Sequence, residues 1–130
     1  MTLTRWSVTL VWTSVTVLLM LSPGEESAAE DLSRFFGGTD ITDALGHVVL
    51  YGVLTALWRW ALLNHLSLQQ ALGGAVAVGL ALGAATELAQ FLIPHRGVAL
   101  VDLLANWVGS LSLPLALQLL PSKQASDLIP

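Results

Sequence analysis

Side chains able to bind, ionise or carry a proton interrupt stretches of this sequence that are otherwise apolar: Asp43 and His47, Glu87 and Gln90, Asp102 and Asn106. Asp43 and His47 stand four residues apart, as do Asp102 and Asn106, while Glu87 and Gln90 are three apart, so on helices each pair shares one face. Carboxylates and imidazoles bind divalent cations or act as acid and base, and amides bond sugars, amines or one another. His47, Glu87 and Asp102 are therefore the candidate catalytic groups, and the same three are the candidate ligands of a divalent cation. Asp43, His47, Glu87, Gln90, Arg96, Asp102 and Asn106 form the wider candidate ligand-binding set. Two buried carboxylates repel unless a proton, a cation or an arginine lies between them, and Arg96 is close enough in sequence to pair with one. No HExxH zinc motif, nucleophile elbow or Walker loop accompanies these residues. With no cysteine, thiolate metal sites, disulfides and thiol nucleophiles are excluded.

The elements that must hold these groups follow from composition. Of 130 residues, 55% are hydrophobic and 11% charged, where a soluble domain carries about 25% charged residues. An ordinary cytosolic enzyme is excluded on that ground, and a net charge of -4 disfavours nucleic acid as a partner. The expectation is an all-α membrane protein of one domain over residues 1–130, with four transmembrane helices in a small bundle. A span needs roughly 20 mainly apolar residues. Four windows qualify: Trp6 to Leu21, Ala44 to Leu63, Leu72 to Ile93 and Val98 to Leu120. Ser67 with Gln70 makes a capping box ahead of the third, and Asp40, Thr42 and Asp43 supply oxygen and negative charge at the start of the second. Pro94-His95-Arg96-Gly97 is a turn short enough to make spans three and four an antiparallel hairpin, and Pro114 predicts a kink in the fourth.

Loop charge orients the bundle. With the N-terminus inside, Arg5, Arg59 and Lys123 fall on the cytoplasmic side and Arg34 and Arg96 outside, which gives N-in and C-in. Between spans one and two, Ser27 and Glu30 form a second capping box, followed by Leu32, Phe35 and Phe36 and then Gly37-Gly38. That pattern predicts a short amphipathic helix on the outer membrane surface, with a loose acidic loop as the plain alternative. Span one could also be a signal peptide cleaved at Ser27-Ala28-Ala29.

Antiparallel order puts the start of span two, the end of span three and the start of span four at one membrane face. His47, Glu87, Gln90, Asp102 and Asn106 then occupy a single layer roughly 5–10 Å below that interface, at a rise of about 1.5 Å per residue. Ionisable groups inside spans cost at least about 2.5 kcal/mol each, so the layer requires a reason. Ala75, Gly79 and Gly83 run down the Glu87 face of span three, a small-residue stripe that admits a close neighbour. The plain readings stand beside the functional ones: Asn106 and Gln90 as interhelical glue, His47 as a helix-start residue bonded to Asp43, Tyr51 as packing, and Arg59 as a snorkelled charge.

The ordered set Asp43-x3-His47-x3-Tyr51, Glu87-x2-Gln90 and Arg96-x5-Asp102-x3-Asn106-x2-Gly109 resembles the VanZ-like family of bacterial membrane proteins over roughly residues 40 to 115. Two positions depart from the family pattern: Ala44 stands where a lysine is usual, and Ser112 or Leu113 where a further glycine is common. The resemblance implies a multi-pass protein of the bacterial plasma membrane, associated with resistance to teicoplanin, a lipoglycopeptide that acts on peptidoglycan precursors at the outer membrane surface. The expected function is recognition of a membrane lipid or lipid-linked envelope precursor by a polar pocket in the outer leaflet, with Arg96 and Arg34 toward phosphate. A membrane-embedded hydrolase or transferase acting on such a lipid, a proton or ion relay, and a structural polar cluster are the alternatives. The relay is disfavoured because only Arg59 continues the polar path into the inner leaflet. The glycine stripe would equally suit a homo-oligomer or another membrane partner.

Overall fold

Helix-starting chemistry and apolar length lay out the architecture. The computed structural model describes residues 2–22, 34–35, 37–93 and 99–119, with the side chains at 114 and 117–119 excepted. Within them are four long helices: α1 (Thr2–Leu21), α2 (Asp40–Leu62), α3 (Leu68–Gln90) and α4 (Leu100–Leu119). Gly37 and Gly38 take positive φ of 115° and 60°, a backbone that side-chain-bearing residues avoid, and they deliver the chain into α2. There Thr39 is extended, its hydroxyl accepts from the Thr42 amide, and the Thr42 hydroxyl accepts from the Thr39 amide at 3.0 Å. This box satisfies N–H groups that the first turn leaves without helical partners. The helix consequently begins at Asp40, four residues before the expected Ala44. Ser67 and Gln70 cap α3 in the same reciprocal way, which starts that helix at Leu68. At its other end α3 stops at Gln90, short of the expected Ile93, as Phe91 to Ile93 turn off.

α1, α2 and α3 are each long and apolar enough to cross a membrane, while the apolar stretch found in α4 is the shorter Leu100–Leu113. At about 1.5 Å per residue, the 23 residues of α2 and of α3 reach roughly 34 Å. Burial is distributed inside out. Buried polar residues include Thr9, Thr16, Thr55, Thr86 and Ser110, whereas large apolar side chains such as Leu18, Val49, Leu88, Val101 and Val108 face outward. A fold that hides hydroxyls and amides while displaying leucine and valine matches a hydrocarbon surrounding.

Contacts fix the helix directions. Arg5 bonds the Trp60 carbonyl and Thr9 the Leu57 carbonyl, so α1 and α2 are antiparallel. Gly79 lies against Thr55 and Gly74 against Leu62, making α2 and α3 antiparallel, and Gly79 with Ser110 and Gly83 with Asn106 do the same for α3 and α4. α2 and α4 therefore run in the same direction. The tightest approach is theirs: a Cβ on Gly109 would overlap the Val48 carbonyl oxygen and stand 3.0 Å from its carbonyl carbon. At the far end of α2, Arg5 lies over the Trp60 ring, 5.1 Å from its centroid, and donates to the Trp60 carbonyl at 3.3 Å. That one side chain supplies a cation–π contact and covers a carbonyl of the last turn.

The expected surface helix after span one, the cleavage site at Ser27-Ala28-Ala29 and the Pro94–Gly97 turn lie outside the described residues, apart from Arg34, Phe35 and the two glycines.

Candidate functional site

Three helix faces converge at one end of the bundle. On α2, Asp43, His47 and Tyr51 follow each other at four-residue steps, running from an exposed carboxylate to a fully buried phenol. On α4, Asp102 is half-buried in the first turn and Asn106, one turn deeper, is fully buried. On α3, Gly83, Thr86, Glu87 and Gln90 are all buried. Two glycines make the convergence close. Gly109 lets α4 lie on the Val48 backbone of α2, and Gly83 leaves 3.0 Å between its own missing Cβ and the Asn106 Cβ.

Asn106 is the hub. Its Nδ2 donates to Glu87 Oε1 at 3.4 Å, and its Oδ1 lies 2.8 Å from His47 Nδ1. Facing the amide nitrogen toward a carboxylate, which accepts, leaves Oδ1 toward the imidazole, so the His47 Nδ1–H donates. The neutral ring then carries its lone pair on Nε2. The His47 and Glu87 side chains are only 3% and 2% exposed, and one amide joins them across α2, α3 and α4. One turn deeper, the Tyr51 hydroxyl meets Thr86 Oγ1 at 2.8 Å. Thr86 gives its own proton to the Leu82 or Gly83 carbonyl, so the phenol is the donor in that pair.

Gln90 goes elsewhere. Its Nε2 donates to the Met20 carbonyl at 2.8 Å, where α1 is ending and its carbonyls lack helical partners. It ties α1 to α3 and has no bond to His47 or Asn106. Arg96 lies outside the described residues, so its expected place in the set is undescribed.

At the mouth, a ring nitrogen of His47 and one carboxylate oxygen each of Asp43 and Asp102 lie within 4.8 Å of one another. The geometry thus divides the sequence-derived candidates into two tiers. Asp43 and Asp102 form an accessible rim over the buried His47, and Glu87 supports His47 from behind through Asn106. With Asp40 also in the first turn of α2, the described rim is acidic and its electrostatics favour a cationic or amine-bearing ligand.

Sequence reasoning passed over the hydroxyls. Thr86 is the partner of Tyr51, and its signal was that a buried phenol needs an acceptor. Thr9, Thr13 and Thr16 form a polar stripe at helical spacing on α1. Thr9 also bonds the Leu57 carbonyl, at 3.1 Å, and Thr13 accepts from the Trp58 indole at 3.1 Å.

Among known proteins, no family model, no curated protein and no solved structure matches this chain.

Proposed function

We propose that this chain is a four-span protein of the bacterial plasma membrane, N-in and C-in, of the VanZ-like type, whose polar end faces outward and recognises a lipid or lipid-linked envelope headgroup. The observation that carries the reading is the two-tier arrangement: an exposed Asp43 and a half-buried Asp102 at the mouth, backed by the buried His47–Asn106–Glu87 chain. A cluster whose only task was to pin helices would gain nothing from an acidic rim around a buried imidazole. The bundle's other end supports the orientation, because Arg5 and Arg59 lie there, cationic residues of the kind that favour the cytoplasmic side. In this reading the rim carboxylates bind amine or hydroxyl groups of the headgroup, Arg34 and Arg96 serve its phosphate, and α4 is the fourth span. A contribution to teicoplanin-type resistance follows if the headgroup belongs to a peptidoglycan precursor.

Native mass spectrometry of protein extracted in mild detergent tests this. Wild-type protein is expected to retain a defined lipid that Asp43→Asn and Asp102→Asn lose; an identical lipid complement in all three contradicts it. Asp43 is exposed, so its variant tests binding without disturbing the packed interior.

A further inference from the structure

We propose that Asp43, His47 and Asp102 form a binding site for a first-row divalent transition-metal cation such as Zn²⁺. One imidazole and two carboxylates, drawn from α2 and α4, bring their ligand atoms within 4.8 Å of one another. Around a cation with ligand bonds of about 2.0–2.2 Å, donors stand roughly 3.0–3.6 Å apart, so the three must close by less than about 2 Å. Asp43 is exposed and can swing in without moving a helix.

A second observation, independent of the carboxylates, points to the ligand. His47 is 97% buried, its exposure being 3%, and its one hydrogen bond among the described residues is the Nδ1–Asn106 contact. Nε2 is left holding a lone pair, with no hydrogen-bond partner among the described residues. Metal-binding histidines are oriented in this manner: the ring N–H that does not face the cation donates to an oxygen, which fixes tautomer and rotation. Here the accepting oxygen is Asn106 Oδ1, and the Asn106 amide is itself held by Glu87 at 3.4 Å. Glu87, a metal-ligand candidate from sequence, becomes a positioning residue, and Asp43 takes its place in the ligand set. The nitrogen ligand favours Zn²⁺ over Mn²⁺, Mg²⁺ and Ca²⁺, which suit all-oxygen shells.

Three protein ligands leave a coordination position open. A divalent cation there offsets the charge of the two ligand carboxylates and presents an open coordination position, which would let a phosphate approach a mouth whose bare charge repels it. That last step rests on the headgroup reading; metal binding itself does not.

The test uses protein purified through a tag without histidine, stripped with chelator and titrated with Zn²⁺ alone, no lipid being added. Uptake of one Zn²⁺ per chain is expected by elemental analysis and calorimetry. Asp43→Asn and Asp102→Asn should each bind at least tenfold more weakly, and Asn106→Ala about 10–100-fold more weakly. His65→Gln, beyond the opposite end of α2, leaves the trio intact and should bind as wild type does. Co²⁺ gives a second readout, since its visible bands should shift in His47→Gln. Should that variant fail to fold, the exposed Asp43 still carries the test. No uptake above the detergent blank, or wild-type affinity in either aspartate variant, overturns the proposal. Failure to bind Zn²⁺ leaves headgroup recognition standing, and failure to retain a lipid leaves the metal site standing.

Discussion

Replacing Asn106 with alanine removes the amide that joins His47 on α2 to Glu87 on α3 and leaves an imidazole N–H and a carboxylate oxygen facing the gap. The alanine keeps the Cβ that packs 3.0 Å from the Cβ position of Gly83, so helix spacing is preserved and the loss is chiefly of hydrogen bonds. Interhelical hydrogen bonds in membranes average about 0.6 kcal/mol and reach about 1.7. The bond to Nδ1 is short at 2.8 Å and belongs at the upper end of that range, whereas the one to Glu87, long at 3.4 Å, counts near the average. Their sum gives an expected cost of about 2–3 kcal/mol. Reversible unfolding by sodium dodecyl sulfate in mixed micelles, followed through the fluorescence of the five tryptophans, measures it. In a double-mutant cycle, His47→Ala combined with Asn106→Ala should show a coupling of at least about 1 kcal/mol, because the two changes remove one shared bond. A cost below about 0.5 kcal/mol, or additive effects of the two substitutions, would refute the hub role of Asn106.

Other expectations follow from single contacts. Gly109→Ala would push a methyl group into the Val48 backbone of a neighbouring helix and should destabilise by about 3 kcal/mol, the upper end of overpacking costs, in the same unfolding assay. Gly46→Ala has nothing within 4 Å of the new methyl and should be neutral or stabilise by up to about 1 kcal/mol through helix propensity, so equal effects at the two glycines would contradict the α2–α4 contact. The cysteine-free sequence permits topology mapping: a thiol in Asp40→Cys should react with an impermeant maleimide on intact cells, and one in Ser67→Cys only after permeabilisation. The reverse pattern would invert the bundle.

Much of this arrangement was legible because it is local. The Ser67–Gln70 box, the apolar lengths and the four-residue steps through Asp43, His47 and Tyr51 are short-range patterns, and helical geometry alone turns them into caps, spans and faces. The small-residue stripe of Ala75, Gly79 and Gly83 likewise predicted a close neighbour, and all three are buried. Which neighbour each polar group chooses was not legible, since that depends on rotation and offset between helices. Gln90 shares a face with Glu87 yet turns to the Met20 carbonyl on α1, a helix whose own polar stripe of threonines drew no attention. Sequence also could not separate Glu87 from Asp43 as partners of His47. Asp43 stands at the rim beside Asp102, while Asn106 comes between His47 and Glu87, a consequence of how far α4 advances along α2 before Gly109 meets Val48.

Nitrogen-15 NMR of the His47 ring in detergent or nanodiscs, without added metal, reaches the heart of the account. The arrangement described here requires the neutral ring to carry its proton on Nδ1, held in a persistent hydrogen bond with Asn106 and shifted on Asn106→Ala. A ring protonated on Nε2, or one that averages between tautomers and is indifferent to Asn106, would contradict it.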